Sequence, residues 1–314
     1  MYDIIIVGAG TAGLTAAIYS KRAKKKTLVL DIASYGGQII NTLDIENYPA
    51  KPHISGFDFA TELFNQAKDL GTEVKFEKVV KIKDNGNTKE VITTKAAYET
   101  KSIILATGSE NRKLGLENEE KLIGKGISYC ATCDGAFYKG KDVAIQGGGN
   151  TALEYTLYLA NICKTVYLIH RRDTFKAEEY LVNKLKEKEN VKIVLNSTVT
   201  KLNASNILES IEVTSNNGNV NVINVSGLFI AIGHVPENQN FAKVVNLDEM
   251  GYIIAGENCH TNVTGIYAAG DCRTKMLRQL VTATSDGAIA ATEAVKYINN
   301  IWKTGELRVK TLIL

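Results

Sequence analysis

The sequence predicts an α/β fold with two similar parallel sheets, because a pattern of strand, glycine-rich loop and helix occurs twice. The first copy begins with an apolar, mostly β-branched segment at residues 3–7, which is typical of a buried parallel strand. The second copy begins at residues 142–146. A chain of 314 residues has room for about two domains of roughly 100–200 residues each. We therefore expect two Rossmann-like, three-layer nucleotide-binding domains.

The first copy continues with the loop Gly8-Ala9-Gly10-Thr11-Ala12-Gly13 and a predicted helix over residues 14–23. In such a loop the first glycine permits a tight turn and the second lets the backbone approach a pyrophosphate. The third allows the helix to pack closely on the strand. The phosphates would lie at the helix N-terminus, where N–H groups and the helix dipole favour anions. A second strand ends in Asp31, placed to accept hydrogen bonds from an adenosine ribose.

The second copy has the loop Gly147-Gly148-Gly149-Asn150-Thr151, followed by a helix and another strand. After that strand, at the position equivalent to Asp31, stands the cationic run His170-Arg171-Arg172. Cations in place of the acid remove ribose recognition and favour a 2′-phosphate. The first loop thus suits an adenosine without that phosphate, as in FAD, and the second suits NADPH. The alternative is that the run is only a charged strand end.

Cys130-Ala131-Thr132-Cys133-Asp134 lies between the two loops. A dithiol spaced in this way can cycle between thiols and a disulfide, and a neighbouring carboxylate can move the protons. Half of a zinc site is the alternative, but it requires a second pair of ligands, for which Cys259-His260 is the only neighbouring pair. Redox chemistry is therefore the preferred interpretation, and no metal is expected.

The composition argues against several other classes of protein, namely nucleic-acid-binding, membrane and secreted proteins. A net charge of +3, from 37 basic and 34 acidic side chains, predicts no strongly basic face for nucleic acid. No apolar segment approaches the length of a membrane span, and no signal peptide is expected. Five cysteines, a low and odd number, argue against a secreted disulfide scaffold and favour the cytoplasm.

With these motifs in this order, the chain resembles the bacterial-type, low-molecular-weight thioredoxin reductases of the class II pyridine nucleotide-disulfide oxidoreductase family. The resemblance covers essentially the full length. Further motifs that carry it are Gly36-Gly37-Gln38, Glu46-Asn47-Tyr48-Pro49, Ala106-Thr107-Gly108, Ile232-Gly233-His234, Gly270-Asp271 and Arg278-Gln279.

The resemblance implies a discontinuous FAD-binding domain, residues 1–112 and 240–314, with an NADPH-binding domain, residues 113–239, inserted in it. The inserted domain would carry the CxxC pair. The implied FAD-binding residues are Gly8, Gly10, Gly13, Asp31, Gly37, Gln38, Asn47, Thr107, Gly108, Gly270, Asp271, Arg278 and Gln279. The implied NADPH-binding residues are Gly147, Gly149, Asn150, Thr151, His170, Arg171, Arg172 and Lys176.

The implied reaction passes a hydride from NADPH to FAD and then reduces a Cys130–Cys133 disulfide. Cys133 would face the flavin and Asp134 would transfer protons. The dithiol would reduce thioredoxin or a thioredoxin-like protein, and the protein would be a homodimer.

Alternatives remain for the electron donor, because Lys176 stands where the family usually has arginine, and Asn150-Thr151 where it usually has an acid and serine. Lysine keeps the charge but lacks the guanidinium fork. NADH or ferredoxin as donor is therefore an alternative. A dithiol oxidase is another, although it has no use for the run His170-Arg171-Arg172. A non-catalytic flavin-binding sensor would leave the CxxC pair unexplained.

Overall fold

In a computed structural model, the described residues are 1–42, 45, 47–51 and 53–311, without the side chains of residues 41, 133 and 302–311. Glu46, part of one sequence motif, lies outside them. The chain divides into two compact units. The first is discontinuous, Met1–Glu110 with Val235–Leu314, and the second is Asn111–His234. Within the described residues, no helix combines the length and the apolar character needed to cross a membrane.

The elements follow the predicted alternation of strands and helices. The first unit begins with β1 (Tyr2–Val7), α1 (Thr11–Arg22), β2 (Thr27–Asp31), α2 (Gly56–Asp69), β3 (Glu73–Phe76), β4 (Val79–Asn85), β5 (Thr88–Thr93) and β6 (Ala97–Leu105), and β7 (Glu110–Asn111) follows where the chain passes from the first unit to the second. The chain continues with β8 (Ile127–Ser128), α3 (Ala131–Asp134), β9 (Asp142–Gly147), α4 (Asn150–Ala160), β10 (Thr165–Ile169), α5 (Glu179–Lys186), β11 (Val191–Val194), β12 (Ser197–Ala204), β13 (Leu208–Ser215), β14 (Val220–Asn224), β15 (Gly227–Ala231) and β16 (His234–Val235). It ends with β17 (Ile266–Ala268) and α6 (Leu280–Thr311).

The sheet of the first unit has the order β3-β2-β1-β6-β5-β4, with β17 also paired to β6. Strands β3, β2, β1, β6 and β17 run parallel, whereas β4, β5 and β6 form an antiparallel meander. Side chains of β1 alternate between two buried clusters. Ile4 and Ile6 pack with α1 and α6, and Ile5 and Val7 pack on the opposite face.

The sheet of the second unit has the order β11-β10-β9-β15-β8 and is parallel throughout. Val143 and Ile145 pack with α4 and α5, whereas Ala144 contacts the cluster that includes the antiparallel strands β12 and β13. Helices, sheet and antiparallel strands make three layers. The same strand–glycine loop–helix–strand order recurs in both units, so the predicted fold class is confirmed.

Candidate functional site

The first glycine loop joins β1 to α1, and its three glycines have different surroundings. A Cβ on Gly8, whose φ is +111°, would lie 2.1 Å from the carbonyl oxygen of Ala106, and one on Gly13 would lie 1.9 Å from that of Gly8. A Cβ on Gly10 would have no protein atom nearer than 3.9 Å. Helix α1 begins without a side-chain cap or an acidic residue in its first turn. The loop therefore leaves an open face at an uncapped helix N-terminus, which suits a pyrophosphate.

Asp31 lies against this loop, at the end of β2. Its carboxylate accepts hydrogen bonds at 2.6 Å from the backbone N–H groups of Ala9 and Ile32. Because each carboxylate oxygen can accept a further bond, a ribose hydroxyl fits the same group. Asp31 thus lies beside the first glycine loop, and its binding of a ribose stays a prediction.

Two later parts of the first unit, residues 36–38 and Asn47, also make contacts that involve predicted site residues. Gly36 donates its N–H to Ala9 O at 2.8 Å, which brings the exposed Gly37 and Gln38 alongside the first glycine loop. Asn47 donates to Gln279 Oε1 at 3.2 Å, although the two residues are far apart in the sequence. Elsewhere in this unit, Thr107 donates to Asn238 Oδ1 at 2.8 Å, beside Gly108 with its φ of +68°.

A buried ion network fixes the Gly270-Asp271 turn to α6. Asp286, 3% exposed, accepts the N–H of Gly270 at 2.9 Å, two guanidinium bonds from Arg273 at 2.8 Å, and the ammonium of Lys275 at 2.9 Å. Burial alone would raise the pKa of Asp286, but the bonds from Arg273 and Lys275 outweigh it and lower that pKa. Sequence analysis missed this network. Its signal was Asp286, which with Glu293 is one of two carboxylates in the small-residue helical segment 283–294.

Arg278 lies near this network and retains binding capacity. Its guanidinium stacks over the Tyr252 ring, 4.0 Å from the centroid, and Nη2 donates to Arg273 O at 3.2 Å. Its Nε is buried and finds no hydrogen-bond acceptor among the described residues. A buried donor of this kind calls for a partner, and an anionic or carbonyl group of a ligand would provide one.

The second glycine loop repeats the design of the first. A Cβ on Gly147 would lie 2.5 Å from the carbonyl oxygen of Ala231, whereas one on Gly149 would have no protein atom nearer than 3.8 Å. Helix α4 begins at Asn150 without a side-chain cap or an acidic residue in its first turn. Thr151 is exposed beside this open face. This loop suits a second dinucleotide phosphate.

The cationic run and the nearby Lys176 comprise one buried side chain and three exposed side chains. His170 is 8% exposed, and a Cβ on Gly148 would lie 2.1 Å from its ring. Its Nε2 lies 3.0 Å from Thr174 O. Arg171, Arg172 and Lys176 are exposed. His170 thus shapes the loop, and the three exposed cations are the groups available to a phosphate.

The CxxC segment lies in the second unit, where Cys130 directly precedes the short helix α3 and Cys133 lies within it. Gly135, which follows it, packs against α4, since a Cβ there would lie 2.8 Å from Tyr158 Cε1. Cys130 is half-buried, donates its N–H to Ser128 Oγ at 3.0 Å, and has its Sγ 3.4 Å from Thr132 Oγ1. The side chain of Cys133 lies outside the described part. Helix α3 is therefore anchored on the helix that begins at the second glycine loop.

A buried carboxylate that sequence analysis missed holds the chain just before Cys130. Glu119 is 2% exposed and accepts the three successive N–H groups of residues 114–116 at 2.7–3.3 Å. It also accepts the hydroxyl of Tyr129 at 2.7 Å. Burial, together with Glu119, raises the pKa of Tyr129 above its usual range. Four donors to one carboxylate fix the approach to the CxxC segment.

The other three cysteines, Cys163, Cys259 and Cys272, are free and buried. Burial raises the pKa of Cys163 to about 11 and that of Cys259 to about 12, so neither is a thiolate at neutral pH. In the described ranges, no group of three or more His, Cys, Asp or Glu could hold a metal ion. These cysteines act as small core residues.

Two glycine loops, each followed by an uncapped helix and one in each of two similar units, define together with a CxxC segment anchored on the helix after the second loop a nucleotide-dependent disulfide oxidoreductase. The family described as "Pyridine nucleotide-disulphide oxidoreductase" matches residues 2–287, and the chain belongs to it.

Comparisons with known proteins agree with the resemblance seen in the sequence. A thioredoxin reductase of Listeria monocytogenes is 40% identical over 303 residues, 96% of this chain and 95% of that protein. The structure of Lactococcus lactis thioredoxin reductase matches with a TM-score of 0.86 at 37% identity, over 96% of this chain and 100% of that one. A ferredoxin-flavin thioredoxin reductase from Clostridium acetobutylicum matches with a TM-score of 0.53 at 28% identity, over 95% of this chain and 98% of that one.

Proposed function

We propose that this protein is a flavin-dependent thioredoxin-disulfide reductase. The observation that carries the proposal is the position of α3, which contains Cys133 and Asp134, directly follows Cys130, and is held on α4 through Gly135. A redox pair and a carboxylate thereby share one unit with the second glycine loop. The named relatives support the same activity.

The discontinuous unit would bind FAD. Its fit rests on the open face at Gly10, on the Asp31 carboxylate and on the buried Nε of Arg278. The full set proposed to hold the group is Gly8, Gly10, Gly13, Asp31, Gly37, Gln38, Asn47, Thr107, Gly108, Gly270, Asp271, Arg278 and Gln279. Bound there, FAD would supply the chemistry that takes a hydride from a nicotinamide and passes two electrons to a disulfide.

The inserted unit would bind NADPH at its glycine loop. Gly147, Gly149 and Thr151 would surround the pyrophosphate, and the exposed Arg171, Arg172 and Lys176 would bind the 2′-phosphate. His170, which lies against Gly148, and Asn150, which follows the loop and accepts the N–H of Glu178, would belong to the same site.

The dithiol would then act on a partner. A thiolate of the Cys130–Cys133 pair attacks one sulfur of the partner disulfide, a mixed disulfide forms, and one partner thiolate leaves. The other cysteine of the pair then attacks the cysteine sulfur of this protein in the mixed disulfide. This step restores the Cys130–Cys133 disulfide and releases the second thiolate of the partner protein. Asp134, half-buried next to the pair, is proposed to take up and return the protons.

The partner would be thioredoxin or a thioredoxin-like protein. Phe137 is 74% exposed, directly after the CxxC segment, and offers an apolar contact for a protein that brings its disulfide there. We also propose a cytoplasmic location, supported by the three free, buried thiols, and a homodimer, supported by the family resemblance. Light scattering on the purified protein tests the dimer.

The activity is tested with Cys133→Ser. The variant should still bleach its flavin when mixed with NADPH, but it should lose thioredoxin reduction by at least about a thousandfold, because no disulfide remains to carry electrons. Cys163→Ser, a buried thiol outside the redox pair, serves as the control and should keep the activity. Retained thioredoxin reduction in Cys133→Ser would refute the role of the pair.

The second candidate uses the same disulfide chemistry with a different electron donor. The match to a ferredoxin-flavin enzyme and the presence of Lys176 favour testing ferredoxin and NADH beside NADPH. A dithiol oxidase, which would pass electrons from substrate thiols to oxygen, is disfavoured by the three exposed cations beside the second loop.

A further inference from the structure

The cationic segment of the second unit, residues 170–178, is joined to the second glycine loop at three points. The His170 ring lies against Gly148. The backbone N–H of Lys176 donates to Gly148 O at 2.8 Å, and Lys176 pairs with Gly149 as an isolated parallel bridge. The third point is a side-chain contact between Asn150 and Glu178.

At this third point, both polar groups of the Asn150 amide bind one residue. Asn150 Nδ2 donates to Glu178 Oε1 at 3.0 Å, and Asn150 Oδ1 accepts the backbone N–H of Glu178 at 2.9 Å. Asn150 is the first residue of α4, and Glu178 caps the N-terminus of α5 with an extended backbone. The reciprocal pair therefore ties together the starts of two helices, with Lys176 just before the second of them.

The placement of Lys176 depends on this tie. Lysine carries a single charge on a flexible stem and lacks the fork that lets arginine bind a phosphate through two bonds. The region that its exposed ammonium can reach is consequently set by where the backbone is held. Losing the pair at residue 178 would remove one of the two contacts by which residues 176–178 are held to the loop and to the start of α4.

We propose that Asn150 and Glu178 determine nucleotide specificity as positioning residues. Their reciprocal pair holds Lys176 beside the second glycine loop, where it joins Arg171 and Arg172 in binding a nucleotide 2′-phosphate. The proposal rests on the proposed NADPH site. It also accounts for an amide at position 150, because aspartate would lack the Nδ2 donor and would place a second carboxylate against that of Glu178.

The test measures binding without turnover. Calorimetry on the purified, FAD-loaded, full-length protein compares the affinity for 2′,5′-ADP with that for 5′-AMP, which lacks the 2′-phosphate. In Asn150→Asp we expect 2′,5′-ADP to bind about tenfold more weakly, with 5′-AMP changed by less than about threefold. Asn150→Asp with Glu178→Gln should recover most of the affinity, because the glutamine amide donates to the new carboxylate.

A matched pair of variants distinguishes the effect of the Asn150–Glu178 hydrogen bond from the effect of the negative charge of Glu178. Glu178→Gln and Glu178→Ala remove the same negative charge, but only glutamine keeps an acceptor for Asn150. Glu178→Gln should bind 2′,5′-ADP like the wild type, whereas Glu178→Ala should bind it about threefold to tenfold more weakly. Glu179→Ala, an exposed neighbour, controls for the local charge and should not weaken binding.

Two failures are distinguishable. If the wild type does not prefer 2′,5′-ADP over 5′-AMP, the NADPH assignment fails and the specificity proposal fails with it. If the wild type prefers 2′,5′-ADP but Asn150→Asp binds it as tightly as the wild type does, or Glu178→Ala binds it as tightly as Glu178→Gln, the positioning role alone is overturned.

Discussion

At the end of β2, the Asp31 carboxylate accepts a backbone hydrogen bond from the first glycine loop, whereas at the end of β10 the His170 ring packs against the second. The two residues occupy equivalent positions and both shape their own loop. The difference that reaches a ligand lies in their neighbours. Arg171 and Arg172 follow His170 and are exposed, while Asp31 is followed by the exposed apolar side chain of Ile32. The two glycine loops thus share a backbone arrangement, and they differ in the charge of the residues that follow the neighbouring strand.

Breaking that shared design in the first loop is expected to affect both folding and FAD binding. Gly13→Ala would place a Cβ 1.9 Å from the carbonyl oxygen of Gly8, so the apoprotein should lose roughly 3 kcal/mol of stability in urea unfolding. Gly10→Ala meets no atom nearer than 3.9 Å and should unfold like the wild type. It should nevertheless bind FAD at least about tenfold more weakly, because its methyl group stands where a pyrophosphate approaches. Equal unfolding of the two variants would contradict the distinction between packed and open glycines.

The next effect concerns a feature present only in the first unit, the buried network of Asp286. Asp286→Asn leaves Arg273 and Lys275 without their carboxylate and should cost about 3–5 kcal/mol at pH 7. Because the pKa of Asp286 is lowered in the folded protein, its stabilisation is present above the unfolded value of about 3.9 and is lost as the pH falls through the folded value.

The gap between wild type and Asp286→Asn should therefore narrow below about pH 4, as measured by chemical unfolding across pH. Asp69→Asn, an exposed carboxylate of the same unit, is the control and should change stability by less than about 0.5 kcal/mol. A gap that stays constant down to low pH would show that the charge of Asp286 does not matter.

The smallest effect is expected from removing one of the charges that distinguish the second glycine loop from the first. Arg171→Ala should lower kcat/KM for NADPH by about 10- to 100-fold, because a charge-assisted phosphate contact of roughly 1.5–3 kcal/mol is lost. The value for NADH should change little. Lys186→Ala, an exposed cation on α5, should leave both unchanged. An unaltered preference for NADPH over NADH in Arg171→Ala would count against the phosphate contact.

Features that depend on local spacing could be predicted from the sequence. The glycine loops, the position of Asp31 and the CxxC pair follow from residues close together in the chain, where turn geometry and strand length limit the choices. The fold class followed from the repetition of these local patterns. The match between the two copies made each one more specific than a single glycine motif.

Features that depend on tertiary packing could not be predicted. Glu119 finds its donors in residues 114–116 and Tyr129, and Asp286 finds Arg273, only once the surrounding layers are packed. The direction of the His170 ring likewise depends on the space above Gly148. Sequence spacing placed His170 among the phosphate-binding cations, but it could not reveal that this ring is buried while its neighbours are exposed.

On the proposed function, electrons enter from a nicotinamide nucleotide that carries a 2′-phosphate and binds at the second loop. Anaerobic mixing of the purified yellow protein with NADPH, NADH or reduced ferredoxin, followed by flavin absorbance, tests it most directly. The charges around the second loop predict fast bleaching with NADPH and much slower bleaching with NADH. Bleaching by reduced ferredoxin alone would contradict the claim.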